Sequence, residues 1–282
     1  MIIGSVLGVG SANNTIIYDQ SVAQNGSSVL PGVSSIVGRT LTSTSLSSGQ
    51  TTLIVLVVGD SISSNSGPSA YTPTHATTEN FNIYNSLCYQ YKDPVMGASD
   101  GPGSYLGMIG DKLNDAGKFA RFIAVDPSEG GATSRDWSAS GPFNQRALAS
   151  IWQMRALGWP VNGSRDSWRF AIMYVLGTND QAAGTTQAAF TANGNSFISS
   201  VRGIGCTADI FIATSTMLNN VTSATLQAAQ AALINNGQGI YTLGNMDSLT
   251  GGTNRQGDGT HLTLTGEDNW AAICTTTFQN HY

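Results

Sequence analysis

Three side chains of types that cooperate in acyl transfer stand in two short segments near opposite ends of this chain. Asp258 and His261 lie three residues apart in DGTHLT, and Ser61 lies far upstream in VVGDSISSN. A carboxylate can orient an imidazole, which can then take the proton of a serine hydroxyl as that hydroxyl attacks a carbonyl carbon. The apolar run Leu53 to Val58 precedes Ser61 and predicts a buried strand that passes into an exposed turn, a setting suited to a nucleophile.

The chain also offers donors for the negative charge that develops during acyl transfer. Backbone N–H groups of Ser61 and Gly131 and the side-chain amide of Asn179 are the candidates. Gly131 lies in SEGGATS, where the missing Cβ lets the backbone approach a substrate, and Gly130 beside it is a candidate for substrate contact. The two remaining acidic groups in these motifs, Asp60 and Asp180, are expected to hold their turns through backbone hydrogen bonds.

From residue 53 onward, apolar strand patterns alternate with helical patterns. The predicted strands are LIVLVV, RFIAV, RFAIMYVL, DIFIAT and IYTL. The predicted helices are Tyr105 to Ala116, Thr186 to Val201, Ser223 to Asn235 and Glu267 to Phe278. This alternation predicts an α/β/α sandwich around a central, mainly parallel five-stranded sheet. Ligands of such sheets bind beyond the carboxyl ends of the strands, which is where the polar motifs fall.

Composition divides the chain into two parts. Residues 1–50 are rich in Gly, Ser, Thr and Asn, and they predict an irregular or β-rich N-terminal extension. This extension is either a flexible leader or a strand-forming arm that docks on the domain or on a neighbouring subunit. Residues 51–282 form the predicted catalytic domain, with a long insertion at about 62–103 that is expected to shape a substrate cleft.

Charge and residue counts exclude several classes of function. Only 10% of the 282 residues are charged and the formal net charge is -5, so nucleic acid is not an expected partner. The three cysteines and three histidines are too scattered for a metal site or a disulfide framework, and no cofactor is expected. No run reaches the roughly 20 apolar residues that span a membrane. We expect a soluble protein of undetermined compartment, with an extracellular or virion-associated location left open.

Four motifs, taken together, resemble the blocks of the SGNH, or GDSL-type, hydrolases. They occur in the family's order and cover about residues 53–282: GDS at 59–61, SEGGATS, GTND at 177–180 and DGTH at 258–261. One departure is that GDSI replaces GDSL. The resemblance implies the flavodoxin-like fold of this superfamily.

The resemblance also implies a role for each matching residue. Ser61 is the expected nucleophile and first oxyanion donor, Gly131 the second donor and Asn179 the third. Asp258 and His261 are the expected remaining members of a catalytic triad. Together these roles imply a serine hydrolase that acts on carboxylic ester bonds through an acyl-enzyme intermediate.

A further stretch, YKDPVMGASDGPGSYLGMIGDKL followed by GGATSRDW, is similar to carbohydrate acetylesterase branches of the family. This similarity implies a short-chain ester, with acetyl as the acyl group and an acylated carbohydrate as the substrate. Aromatic residues agree with that expectation, because the rings of Tyr71 and Trp137 could stack on sugars.

Two other functions remain open from the sequence. One is a lysophospholipase or thioesterase that uses the same triad on longer acyl chains. The other is a non-catalytic glycan-binding module of a virion or surface appendage, which could attach or self-associate through residues 1–50. A conventional α/β-hydrolase is disfavoured, because Asp258 and His261 share one short segment instead of standing on separate loops.

Overall fold

One mixed β-sheet runs through the protein in the computed structural model, which describes residues 32–99 and 101–282. The strands are β1 (Leu41–Thr42), β2 (Thr52–Gly59), β3 (Thr78–Asn82), β4 (Leu87–Gln90), β5 (Arg121–Val125), β6 (Ser164–Arg165), β7 (Trp168–Val175), β8 (Asp209–Thr214) and β9 (Ile240–Asn245). The helices are α1 (Leu106–Asp115), α2 (Ser134–Trp137), α3 (Asn144–Ala156), α4 (Thr178–Ala182), α5 (Gln187–Gly203), α6 (Ala224–Leu233), α7 (Gly251–Asn254) and α8 (Leu264–His281).

The sheet has the strand order β1-β4-β3-β5-β2-β7-β8-β9, and β6 pairs with β7 outside this path. Strands β3, β5, β2, β7, β8 and β9 run parallel to one another, whereas β4 pairs antiparallel with β1 and β3, and β6 pairs antiparallel with β7. The five strands predicted from sequence are β2, β5, β7, β8 and β9, and they follow the flavodoxin-like order. The prediction of a mainly parallel α/β sandwich is confirmed, although the sheet is wider than five strands.

Strand β2 is buried on both faces, which explains its continuous apolar sequence. Side chains that alternate along a strand point to opposite faces of the sheet. Ile54, Leu56 and Val58 therefore pack in a core with α3, α5 and α6. Leu53 and Val57 pack in a second core with α1 and α8. One core lies on each face of the sheet, between the sheet and its helices. The helices, sheet and helices therefore form three layers, and this packing fixes the position of the turn that follows β2.

Strands β3 and β4 come from the insertion, and polar side chains hold them in the sheet. The buried Asn80 donates through Nδ2 to the Ala124 carbonyl at 3.0 Å and accepts through Oδ1 from the Met96 N–H at 2.7 Å. Glu79 forms a buried ion pair with Arg121 at 2.6 Å. Because these core-facing residues are polar, the apolar pattern that predicts buried strands is missing from this segment.

Residues 32–50 are the described part of the predicted N-terminal extension, and they lie along the domain. The carbonyl oxygens of Ser43 and Ser45 accept hydrogen bonds from the Arg121 guanidinium. The Trp159 Nε1–H donates to the Thr44 carbonyl at 2.8 Å. Residues 1–31 lie outside the described residues, and a domain boundary near residue 50 stays a prediction.

Three further features concern membrane spans, metal sites and disulfides, which the composition also addresses. Among the described helices, none is long and apolar enough to cross a membrane. Within residues 32–99 and 101–282, no group of three or more His, Cys, Asp or Glu side chains is placed to hold a metal ion. The thiols of Cys88, Cys206 and Cys274 are free and buried.

Glu267 on α8 is a buried carboxyl group that lacks a hydrogen-bond partner on one oxygen. The residue is 3% exposed, and its Oε2 has no partner among the described residues. Burial, assisted by the negative charge of Asp93, raises the pKa of Glu267 to about 8. An unfolded glutamate has a pKa of about 4.3. The folded state therefore holds a proton that the unfolded state loses, so stability falls as the pH rises from about 4 to 8.

Replacement of Glu267 by glutamine should remove this pH dependence, because the amide has the same shape and does not ionise. We expect the variant to gain thermal stability over the wild type as the pH rises from 5 to 8. The gain in Tm at pH 8 should be at least about 2 °C, which corresponds to roughly 1 kcal/mol in a domain of this size. The check is a series of melting curves, with Asp268→Asn as control, which removes an exposed carboxylate that pairs with Lys112 at 2.7 Å. A Tm difference that is the same at both pH values would contradict the prediction.

Candidate active site

Ser61, His261 and Asp258 meet at the carboxyl end of β2. The His261 Nε2 lies 2.9 Å from the Ser61 Oγ, and the His261 Nδ1 lies 2.6 Å from the Asp258 Oδ2. If the Nδ1–H donates to the carboxylate, Nε2 is left to accept the hydroxyl proton. The structure thus brings the three residues singled out in the sequence into one unbroken chain of hydrogen bonds.

A short turn before α8 holds the carboxylate and the imidazole together. The Asp258 Oδ1 accepts from the backbone N–H groups of Thr260 at 2.8 Å and of His261 at 3.0 Å. The buried guanidinium of Arg255 also supports this turn. It donates to the backbone carbonyls of Met246, Leu249 and Thr260, the last at 2.6 Å. The three-residue spacing seen in the sequence is therefore the spacing of a side-chain-to-backbone turn.

Asp258 remains an anion in this turn. Partial burial acts to raise the pKa of Asp258, but hydrogen bonds from the His261 ring and from the backbone lower it below its ordinary value. The side chains of His261 and Asp258 are 28% and 45% exposed, so the hydrogen-bonded chain is open to solvent.

The turn that presents Ser61 depends on a glycine at the last position of β2. A Cβ at Gly59 would lie 1.7 Å from the Ser63 Oγ and 2.8 Å from the Val175 carbonyl oxygen, which no side chain could tolerate without a shift. The Gly59 carbonyl also accepts a hydrogen bond from the Trp137 indole at 3.1 Å. Strand β2 can therefore end close to β7, and the chain can turn sharply into Ser61.

Asp60 holds the turn that contains Ser61. Its Oδ1 accepts from the Ile62 N–H at 3.1 Å, and the carboxyl group lies near the backbone of Asn179. Burial raises the pKa of Asp60 to about 7, although the hydrogen bond from Ile62 acts to lower it. As the sequence predicts, Asp60 serves to hold the backbone of its turn.

Asn179 lies in the first turn of α4, directly after β7. Its Nδ2 is buried and has no hydrogen-bond partner among the described residues. An unpaired buried donor costs about 1–3 kcal/mol, so such a group is expected where a ligand oxygen binds. The neighbouring Asp180 fixes this turn, because its carboxylate accepts from the N–H and the hydroxyl of Ser134 at 2.8 and 2.7 Å.

The structure distinguishes the two glycines of SEGGATS. The Gly130 N–H donates to the Ser99 Oγ at 2.6 Å, so it is already occupied. No hydrogen bond joins the Gly131 N–H to another of the described residues. Gly131 has a φ of 79°, a left-handed conformation that favours glycine, and open space lies where a Cβ would be. Of the two, Gly131 has the N–H group that is available to a ligand.

The aromatic residues proposed for sugar contact differ in accessibility. Trp137 is fully buried beneath the turn that contains Ser61, which leaves no ring face for a sugar. Tyr71 is partly exposed, but its hydroxyl donates to the Asp111 carboxylate at 2.8 Å and thereby anchors the insertion to α1.

The sequence did not point to Ser99, because its contact with Gly130 joins residues 31 positions apart.

Comparisons with known proteins agree on the fold. No family model matches the chain, and no curated protein matches it in sequence. A structure of a protein from Arabidopsis thaliana has a TM-score of 0.59 at 11% identity and covers 82% of this chain and 98% of its own. An acetyl esterase mutant with an acetate ion has a TM-score of 0.50 at 10% identity. The match covers 81% of this chain and 97% of the esterase chain. A putative GDSL-like lipase from Parabacteroides merdae has a TM-score of 0.50 at 12% identity. The match covers 80% of this chain and 95% of the lipase chain.

Proposed function

We propose that this chain, which has the fold of the SGNH hydrolases as its four motifs predict, is a serine esterase that removes acetyl groups from a carbohydrate. One observation carries the proposal. The hydroxyl of Ser61, the imidazole of His261 and the carboxylate of Asp258 are joined by hydrogen bonds of 2.9 and 2.6 Å. A binding site alone has no need for an alcohol, a base and an orienting carboxylate in this arrangement.

In the first half-reaction, Ser61 Oγ attacks the ester carbonyl carbon while His261 Nε2 takes the hydroxyl proton. The carbonyl oxygen becomes an oxyanion that can accept hydrogen bonds from the N–H groups of Ser61 and Gly131 and from the Asn179 amide. Asp258 stabilises the imidazolium. When the carbon–oxygen bond to the sugar breaks, His261 returns its proton to the leaving alcohol, and the acyl group stays on Ser61.

The second half-reaction reverses these roles with water as the nucleophile. His261 takes a proton from water, whose oxygen attacks the acyl carbon and forms a second tetrahedral intermediate. This intermediate collapses to release the carboxylic acid, and the imidazolium gives its proton back to the Ser61 oxygen. The same oxyanion donors serve both halves of the reaction.

The open position of the catalytic residues supports a bulky alcohol and a short acyl group. With His261 and Asp258 28% and 45% exposed, a sugar chain can approach along the surface, whereas a long acyl chain would need an extended apolar channel. The acetyl esterase that shares this fold is named for the same short acyl group. These two points favour acetyl over longer esters.

Hydrolysis of nitrophenyl esters tests the acyl preference. We expect kcat/KM for the acetate to exceed that for the octanoate by at least about tenfold, because an open site gains little from additional methylene groups. A preference for octanoate would instead indicate a lysophospholipase or thioesterase.

Release of acetate from a panel of acetylated polysaccharides tests the carbohydrate part of the proposal, with Ser61→Ala as control. We expect acetate release by the wild type and none above background by the variant. Labelling by a fluorophosphonate probe tests the chemistry separately. Failure of the probe to label Ser61 in the folded protein would favour a glycan-binding module without catalysis.

A further inference from the structure

Ser99, in the insertion, makes two hydrogen bonds to the loop that carries the glycines. Its Oγ accepts from the Gly130 N–H at 2.6 Å, and its own N–H donates to the Ser128 carbonyl at 3.0 Å. These bonds join residues about thirty positions apart, and both act on the segment immediately before Gly131. The loop therefore depends on the insertion for its conformation.

The turn that contains Ser61 and Asn65 holds Ser99 in place. The Ser99 carbonyl accepts from the Asn65 backbone N–H at 3.2 Å and from the Asn65 Nδ2 at 3.3 Å. The Asn65 Oδ1 accepts from the Val95 N–H at 2.7 Å, so the asparagine side chain is fixed as well. Asn65 lies four residues after Ser61 and is fully buried. A continuous set of hydrogen bonds thus runs from the turn that contains Ser61 through Ser99 to the glycine loop, residues 128–132.

Two consecutive glycines would otherwise leave their peptide groups free to rotate. Glycine has the largest choice of backbone conformations, and Gly131 already adopts a left-handed one at φ 79°. The bond to Ser99 fixes the peptide group that precedes Gly130. Further bonds on either side, from the Glu129 N–H to the Gly59 carbonyl at 3.3 Å and from the Ala132 N–H to the Glu129 carbonyl at 3.2 Å, complete the loop.

We propose that Ser99 is a positioning residue of the oxyanion hole, whose hydroxyl holds Gly130 so that the Gly131 N–H faces the carbonyl oxygen of the substrate. This inference rests on the proposed esterase function. It also assigns the insertion a role in catalysis: the insertion supports the transition state through the backbone of the glycine loop. Positioning of this kind affects the chemical step more than substrate binding.

The test compares Ser99→Ala and Ser99→Thr with the wild type, and Ser69→Ala serves as control. Ser69 is an exposed serine of the same insertion whose hydroxyl makes no hydrogen bond to another described residue. Hydrogen–deuterium exchange of a peptide that covers residues 128–132 reports on the loop without any substrate. We expect faster exchange there in Ser99→Ala, wild-type exchange in Ser69→Ala and restoration in Ser99→Thr, which keeps the hydroxyl.

Kinetics on nitrophenyl acetate supply the second measurement. We expect Ser99→Ala to lower kcat by about tenfold with KM within about twofold, and Ser99→Thr to recover most of the loss. Unchanged exchange in Ser99→Ala would overturn the positioning role, and faster exchange with unchanged kcat would overturn its link to the oxyanion hole. A wild type inactive on every ester would refute the proposed function, while the exchange data would still decide whether Ser99 holds the loop.

Discussion

Replacement of Ser61 by alanine should lower kcat for ester hydrolysis by about 10⁵-fold or more, because no other group can form the acyl-enzyme. The lost hydroxyl makes a hydrogen bond of 2.9 Å to His261 at a site that is partly exposed, so water can replace it in the folded protein. We therefore expect the variant to melt within about 1 °C of the wild type. Initial rates on nitrophenyl acetate and a thermal melt check the two halves of this prediction.

The same Ser69→Ala variant provides a control, because it removes a serine hydroxyl from the neighbouring insertion. It should retain wild-type kcat and wild-type labelling by a fluorophosphonate. If Ser61→Ala kept more than a few per cent of the activity, a different nucleophile would be responsible and the proposed mechanism would fail. Labelling of the variant at another serine would identify that group.

Replacement of Asn179 by alanine should lower kcat by about a hundredfold to a thousandfold, which is the usual effect of removing one oxyanion donor. The Asn179 Nδ2 has no partner among the residues that the structure describes, so we expect its hydrogen bond to form only when an oxyanion is present. For the same reason its removal leaves no acceptor unsatisfied. We expect the free energy of unfolding to stay the same or to rise slightly, because a buried unpaired donor is lost.

This combination of a large kinetic effect and no loss of stability distinguishes an oxyanion donor from a structural asparagine. Gln181→Ala, on the same helix, is a matched control, because the Gln181 amide donates to the Val221 carbonyl at 3.2 Å. Its kcat should stay within about twofold of the wild type. A drop in Tm with unchanged kcat in Asn179→Ala would assign Asn179 to the fold and remove it from the oxyanion hole.

The sequence predicts the centre of the fold because its strands are apolar on both faces. The run Leu53 to Val58 lies within β2, and the predicted helix from Tyr105 to Ala116 is α1 within one residue at each end. In these segments the local pattern and the tertiary packing agree. The strand order could then be anticipated from the resemblance to a known fold.

The elements that the sequence does not predict have polar residues in the core. Helix α3 buries Asn144, Arg146 and Gln153 among its apolar side chains, which disguises the helical period. Strand β3 likewise buries Asn80 and Glu79. Each of these groups is stabilised by a partner distant in the chain, such as the Arg121 guanidinium that pairs with Glu79. Local propensity contains no information about such partners.

The candidate site shows the same limit. Ser61, Asp258 and His261 could be selected from motif and position, and the structure places them within hydrogen-bond distance, while their catalytic roles stay predictions. The choice between Gly130 and Gly131 could only be suggested from spacing. The decisive contact is with Ser99, 31 positions away from Gly130, and it requires the folded insertion.

The turn that contains both Asp258 and His261 has a consequence for heat inactivation. The hydrogen bonds of the Asp258 carboxylate join it to Thr260 and His261, which are two and three residues away. The carboxylate and the imidazole are therefore expected to move together. The contact between His261 and Ser61 instead joins positions 200 residues apart and depends on how the turn after β2 packs against the turn before α8. A slight loosening of that packing would separate the Ser61 hydroxyl from the His261 ring and leave the pair of Asp258 and His261 intact. Turnover should therefore fade on warming before the helices and strands melt.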